Sequence, residues 1–354
     1  MKLKSKIFSQ SLLLIPIVFL LAGCGTLLHT SVPTPTPVPL SREEIIDGSS
    51  FEFYEVSFDD LIPGGLDVDL QQCWNGMGMD DQGRIYIGFT STRDDGKSED
   101  FVVFRYDPAT QEKEYLGSFQ DIAAASGNLQ ERESIPKGHT RMIFADGIMY
   151  MGSQGFHDFK QEIDDLPKYR GSHIFAYDTR NETWMDLSAD LPGGVVTENQ
   201  GIVGMNILPD EGLLVGLVHP HSDLALYDYK NRELDDVVKG IPWQLGNPLS
   251  REVVVAPSGN IYLYRGTEEP FQRGESHPVW VYNIHTKELK QTEYNMTNGF
   301  WIGQTQTRDG SKVYVTTVNG QLYEFDTASE TFKDLGYMLP EQDIANGRLI
   351  QFQY

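Results

Sequence analysis

Tyr177-Asp178-Thr179-Arg180-Asn181-Glu182-Thr183-Trp184 reads as the end of one strand, a tight polar turn and the start of a second strand. The aromatic closes the first strand. Asp178 opens the turn, because a short carboxylate can accept hydrogen bonds from the backbone amides just ahead of it. The arrangement occurs five times: Tyr106-Asp107 with Leu116, Tyr177-Asp178 with Leu187, Tyr227-Asp228 with Val237, Tyr282-Asn283 with Thr292, and Phe325-Asp326 with Leu335. In each, the second position lies ten residues after the aromatic, and only Thr292 departs from the apolar rule.

A second hairpin precedes each of these, with two apolar strands around a Gly- or Asp-containing turn: Met77–Gly88, Thr140–Gly152, Ile202–Val218, Glu252–Tyr264 and Ile302–Thr317. Each repeat therefore holds four antiparallel strands, termed a to d. The aromatics recur 71, 50, 55 and 43 residues apart, as expected of units with a common core and variable loops. A helical period appears only around Asp121–Glu131. Four-stranded units at this spacing predict an all-β chain, a β-propeller of five complete blades plus a split or incomplete one, of the six- to seven-bladed type. An array of β-sandwiches is the alternative. The c–d hairpin resembles the kelch and related repeat families over about residues 50–354, although no blade carries the paired glycines of true kelch repeats. The resemblance implies the fold and little chemistry. Phe51–Leu61 reads as a lone outer strand d and Arg348–Tyr354 as a lone inner strand a. Together they make half a blade, which predicts either further C-terminal sequence or imperfect closure around a reduced sixth blade.

The N-terminus supplies an address. Lys2, Lys4 and Lys6 precede an apolar run from Ser11 to Ala22 that ends in Leu21-Ala22-Gly23-Cys24, too short and abrupt for a spanning helix. This layout resembles the lipobox of bacterial lipoproteins. The resemblance implies a signal peptide over residues 1–23, lipidation of Cys24, and a mature protein held to the extracytoplasmic surface of a cell-envelope membrane by its acyl chains. Gly25 stands where an aspartate would signal retention, so an outer membrane, where one exists, is the expected destination. Residues 24–49 form a linker, since Ser31-Val32-Pro33-Thr34-Pro35-Thr36-Pro37-Val38-Pro39 favours extended polyproline II and builds no core. The propeller domain is then 50–354.

Formal net charge is −23, and removing the three signal lysines takes it to about −26, which argues against nucleic acid or anionic lipid as partners. With Cys24 lipidated, Cys73 has no disulfide partner. Stability must come from an ordinary core, for which 18 Phe, 17 Tyr and 5 Trp are ample.

In a propeller the d-to-a and b-to-c loops share one face. His139 stands at a d-to-a junction, His157 and His173 bracket a long b-to-c loop, His219 and His221 lie in the next such loop, and His277 in the one after. His29 falls in the linker and His285 in a c–d turn. Clustered imidazoles suggest a divalent metal, with His139, His157, His173, His219 and His221 as tentative ligands, or a general base. Plain solvation of loop histidines is the alternative reading. Trp74, Asn75, Gln200 and Trp301 lie near the same rim with Glu198, Asn199, Arg273 and Asn298. Aromatic faces beside amides suit a sugar ring, although the same residues also serve as core caps. The histidines and Gln200 resemble those of oligogalacturonate lyase propellers, and virginiamycin B lyase-like propellers belong to the same enzyme class. That resemblance implies a metal held by His139, Gln200, His219 and His221 against a uronate carboxylate, with His139, His219, His221 and Arg273 as candidate catalytic residues. The acidic charge opposes a polyuronate unless the face is locally positive.

No G-x-S-x-G elbow, P-loop, H-E-x-x-H or EF-hand loop occurs in the sequence. Asp94-Asp95-Gly96-Lys97 to Glu99-Asp100 lacks calcium-ligand spacing, and the sequons at Asn181 and Asn295 read as turns. The leading expectation is a lipid-anchored protein that binds an extracellular ligand or partner, a carbohydrate among the candidates, on its histidine-bearing face. The rivals are a metal-assisted carbohydrate lyase or hydrolase, and a scaffold component.

Overall fold

The computed structural model describes residues 56–70, 73–94, 99–155, 169–220, 223–239, 250–264, 276–297, 299, 301–307, 309–318 and 320–337. Within them the chain is all-β, with five antiparallel sheets in sequence order. In the third sheet, Gly201–Leu208, Leu213–His219, Leu224–Asp228 and Glu233–Val238 pair in simple succession. The fourth (Val254–Val255, Asn260–Tyr264, Ser276–Asn283, Glu288–Thr297) and the fifth (Trp301–Gln306, Lys312–Thr317, Gln321–Asp326, Thr331–Tyr337) repeat the plan.

All five aromatic-Asp/Asn positions form the same turn. Oδ1 of Asp178 accepts from the amides of Arg180 and Asn181, both at 2.9 Å, and Asp107, Asp228, Asn283 and Asp326 accept in the same way from residues two and three ahead. The residue four positions on is left-handed each time: Gln111, Glu182, Arg232, Lys287 and Glu330. The side-chain bonds hold the turn tightly enough that a non-glycine residue is tolerated there.

The first two sheets depart from the plan along one edge. In the first, the long strand Ile85–Arg93 pairs along that edge with Met77–Met79 at one end and Leu66–Val68 at the other. On its opposite edge lie Glu99–Tyr106 and then Lys113–Ser118. In the second, Ile148–Gln154 pairs with Ile143–Ala145 and with Lys137–Gly138, and is followed by Ile174–Asp178 and Thr183–Asp186. Strand a is thus interrupted in both, at residues 69–70 and 73–76 in the first and at 139–142 in the second. The third and fifth sheets slip register near the start of strand a, at Ile202/Gly204 and Trp301/Gly303. Such irregularities turn side chains out of the sheet.

Each sheet buries a face against the next. Tyr86, Phe101 and Val103 pack on Met149, Met151, Phe175 and Tyr177 of the second sheet. Tyr150 and Ile174 meet Ile202, Leu214 and Tyr227 of the third, whose Val215 and Leu226 meet Val253, Ile261 and Leu263 of the fourth. Tyr262, Tyr264 and Val281 then meet Trp301, Val315 and Phe325 of the fifth. Phe101 shows how tight the packing is: a methyl group on Gly88, Gly138 or Gly76 would come within 2.2, 2.5 or 2.7 Å of its ring. No real contact is that short, so these strands pass the ring only because they carry no side chain there.

Two expectations change. The helical period around Asp121–Glu131 gives a shorter and earlier helix, Phe119–Ala125, because Ser118 caps its N-terminus by accepting from the Asp121 amide at 3.2 Å, and Gly127 follows at φ 70°. The described end of the lone outer strand expected at Phe51–Leu61 is instead a 3₁₀ turn, Asp59–Leu61, in which the Leu61 amide donates to the Phe58 carbonyl. The next strand, Leu66–Val68, joins the inner edge. Arg348–Tyr354 and Cys24 lie outside the described residues.

Candidate functional site

The two interruptions of strand a meet. Trp74, from the first, stacks with the ring of His139, from the second, at a centroid separation of 6.1 Å and an interplanar angle of 21°. The Lys137 ammonium sits 3.8 Å from the Trp74 ring centroid, a cation–π contact. Just before the inner strand of the fourth sheet, the backbone of Arg251 donates to the Trp301 carbonyl at 2.9 Å. The Arg251 charge reaches both Lys137 and His139. Glu252 bridges three sheets: Oε1 accepts from Asn75 Nδ2 at 3.1 Å, and Oε2 faces Arg141 Nε at 3.7 Å. Asn75 is buried at φ 79°, a left-handed position that asparagine adopts more readily than most residues.

Burial and like charge set the electrostatics. Burial, reinforced by Arg251, pushes the Lys137 ammonium down to about 7. Burial and the charges of Arg251 and Lys137 push His139 down to about 3, so its ring is neutral at pH 7. Arg251 is also lowered by burial. Burial pushes the Glu252 carboxyl up to about 7, against the pull of Arg141 and Asn75. Groups drawn toward neutrality by burial and specific neighbours gather at sites that work on ligands. At this cluster the buried atoms His139 Nδ1, Asn75 Oδ1 and Arg141 Nε have no hydrogen-bond partner among the described residues.

Among the described residues no histidine cluster able to hold a metal forms around His139. His173 is fully buried elsewhere, with Nδ1 2.9 Å from Asp186 Oδ2 and Nε2 3.2 Å from Glu133 Oε1. Asn128 donates to the same Asp186 oxygen at 2.7 Å, and Arg170 to Glu133 at 3.2 Å. This knot ties the segment after the first helix to the loop after Asp186. Burial disfavours a charged ring, but the bonds to Asp186 and Glu133 outweigh it and raise His173 above the ordinary imidazole range. With both ring nitrogens engaged by carboxylates, neither is left for a metal ion. His219 closes its strand opposite Gly201, and His277 lies at the start of Ser276–Asn283. Among the described residues no group of three or more His, Cys, Asp or Glu side chains is placed to hold a metal. The neighbours of His139 are cationic, so its surroundings do not fit a divalent cation. His157, His221 and Arg273 lie outside the described residues.

Of the sugar-binding candidates, Trp74 and Asn75 are at the cluster. Gln200 is buried, its Nε2 3.3 Å from Asp223 Oδ2. Trp301 is core: it is fully buried against Tyr264 and Phe332, so its indole offers no face to a ligand. Lys137, Arg141, Arg251 and Glu252 were not foreseen. Their signal was charge at strand edges, in Lys137-Gly138-His139-Thr140-Arg141 and Arg251-Glu252-Val253-Val254-Val255, where apolar residues would be expected. A cleft of about 390 Å³ at the opposite end of the first sheet is lined by Arg84, Arg105, Asp107, Glu112, Lys113 and Glu114. Its charges are largely matched, Arg105 with Glu114 and Glu182, Lys113 with Asp60.

No family model and no curated protein matches the chain. Among solved structures it is similar to hydrazine synthase of Kuenenia stuttgartiensis, at 13% identity over 76% of this chain and 67% of that one, with a TM-score of 0.43. It is also similar to a Bacteroides uniformis protein provisionally assigned as a 6-phosphogluconolactonase, at 9% identity over 81% and 88% of the two chains, again with a TM-score of 0.43. Likenesses this distant carry no argument about function.

Proposed function

We propose that the chain is a lipid-anchored protein of the cell envelope whose sheets are blades of a β-propeller, and that it binds an extracytoplasmic ligand where the inner strands converge. Three features support the propeller. Consecutive sheets share cores in unbroken sequence order, every strand a lies at the edge of its sheet, and Asn75 of the first sheet bonds Glu252 before the fourth, 177 residues away. The lipobox-like Leu21-Ala22-Gly23-Cys24 and the proline-rich linker support the address.

The observation that carries ligand binding is the half-buried Trp74 indole, with the Lys137 ammonium 3.8 Å from its ring centroid and Asn75, whose Oδ1 has no hydrogen-bond partner among the described residues, next in the chain. An aromatic face next to an amide acceptor is the pairing a sugar uses, its C–H face on the ring and its hydroxyl on the oxygen. The test is binding of a panel of neutral and acidic oligosaccharides to the purified protein and to Trp74→Ala, followed by calorimetry. Binding that disappears in Trp74→Ala is expected. Equal binding by both proteins would place the ligand elsewhere, and silence across the panel would refute a carbohydrate ligand. Metabolic labelling with a fatty acid, lost in Cys24→Ser, tests the anchor.

A further inference from the structure

The turns that mark the sheets also link them. The left-handed residue of each later turn reaches the sheet before its own. Glu182 Oε1 accepts from Arg105 Nη2 of the first sheet at 2.9 Å, and Arg232 Nη2 lies 3.2 Å from Met185 Sδ of the second. Lys287 Nζ lies 3.5 Å from Asp235 Oδ2 of the third, and Glu330 Oε2 accepts from Asn260 Nδ2 of the fourth at 2.7 Å. Each contact accompanies an apolar core shared by the same two sheets. Gln111 holds this position in the first sheet, where it is exposed, and no sheet precedes it among the described residues. The first sheet also has a partly bare apolar face. Met77 pairs with Ile87 and Met79 with Ile85, while Gly78 and its partner Tyr86 take the face that packs on the second sheet. Met77 is 37% and Met79 57% exposed, and both isoleucines are half-buried. Further along the same face the sheet is covered, because the buried Phe58 ring sits 6.1 Å from Phe89 and 5.0 Å from Phe104, centroid to centroid. An apolar sheet face needs a second element to bury it.

Within residues 348–354, outside the described residues, Ile350, Phe352 and Tyr354 alternate with Gln351 and Gln353, the sequence pattern of a strand with one buried face. The chain before it is long enough: the ten residues 338–347 reach up to about 35 Å, against about 15 Å across a four-stranded sheet. We infer that 348–354 docks as a strand along Met77–Met79, setting Ile350, Phe352 and Tyr354 over Met77, Met79, Ile85 and Ile87, so that this segment and Phe58 together cover the first sheet. The inference rests on the propeller reading above, in which the first and fifth sheets flank the blade that closes the ring, and it names the segment that closes it.

Peroxide oxidation of the purified full-length protein, followed residue by residue by mass spectrometry, tests it, because a covered thioether is converted to sulfoxide more slowly than an open one. Met77 and Met79 should oxidise nearly as slowly as the fully buried Met149 and Met151, at every protein concentration. In a variant carrying Ile350→Ser and Phe352→Ser they should oxidise several-fold faster, with Met149 and Met151 unchanged as the check that the rest of the fold is intact. Fast oxidation of Met77 and Met79 in the parent overturns the inference. So does protection that persists in the variant, which assigns the face to another segment, and protection that vanishes on dilution, which assigns it to a second copy of the chain. If the variant does not fold, Met79→Cys with Phe352→Cys, in a Cys24→Ser and Cys73→Ser background, takes its place: a disulfide within one chain is expected, and its absence refutes the docking. X-ray scattering from the same samples separates the two readings. An extended row of sheets removes the propeller and the inference with it, whereas a compact disc with fast-oxidising Met77 and Met79 removes the inference alone.

Discussion

Glu252→Gln should remove a pH dependence of stability whose size follows from the environment of the carboxyl. Glu252 is 1% exposed, and burial moves it from 4.5 to about 7 despite Arg141 at 3.7 Å and Asn75 at 3.1 Å. Between those values the folded protein holds a proton that the unfolded chain has released. Stability therefore contains a contribution that is complete below about pH 4.5 and lost as pH rises through about 7. At about 1.4 kcal/mol per pH unit, the loss is about 3 kcal/mol. Glutamine keeps the shape and can still pair with Asn75, but it does not ionise. Urea unfolding of both proteins at half-unit intervals from pH 4 to pH 8.5 measures the difference. The two stability curves should diverge across pH 4.5–7, with the variant gaining about 3 kcal/mol on the parent by pH 8. Because every other titrating group is common to both, parallel curves would mean that Glu252 is solvated or fully compensated, and the reasoning about the buried cluster would fail.

Three further outcomes are expected. His173→Gln leaves Asp186 and Glu133 buried without the imidazole that bridges them and should cost about 3–5 kcal/mol in chemical denaturation. In the parent, the stability from His173 should be complete below about pH 6.5 and decline as pH rises through the elevated folded value, so an NMR titration of the ring showing an ordinary imidazole midpoint would contradict the knot. Gly88→Ala would put a methyl 2.2 Å from the Phe101 ring; it should cost at least about 1–3 kcal/mol and be partly rescued by Phe101→Leu, measured as a double-mutant cycle. Asp178→Ala removes two backbone amide bonds and one from Asn181 Nδ2 at 2.8 Å in an exposed turn. It should cost about 1 kcal/mol, visible as a lower thermal midpoint, with the sheet retained by circular dichroism.

The five turns were legible because their determinants are local. Asp178, Asp107 and their counterparts bond to amides two and three residues ahead, so spacing along the chain is the whole of the signal. The hairpins before them follow from apolar alternation around a turn, which equally needs no distant partner. Where local rules compete, the reading slipped: Asp59–Leu61 folded as a 3₁₀ turn instead of continuing a strand, and the helix stopped at Ala125. The site was less legible. Trp74, Asn75 and His139 were marked as rim residues because they stand beside strand a. Trp301 stands there too and is core, because the fourth sheet packs Tyr264 against the indole and leaves it fully buried.

The sequence by itself determined the all-β class, the number of four-stranded units in the described chain and the chemistry of their turns, because the turns are local and the hairpins that mark each unit pair within about two dozen residues. The proposed lipid-anchored address likewise rests on the local stretch Leu21-Ala22-Gly23-Cys24 alone. Only the tertiary structure decided which histidines matter and to what. His139 and His173 look alike in a loop census, yet one is stacked on Trp74 among cations and the other is clamped between two carboxylates. That difference depends on residues drawn together from Asn75 to Glu252, 177 positions apart, and no local pattern records which distant charge a buried ring will meet.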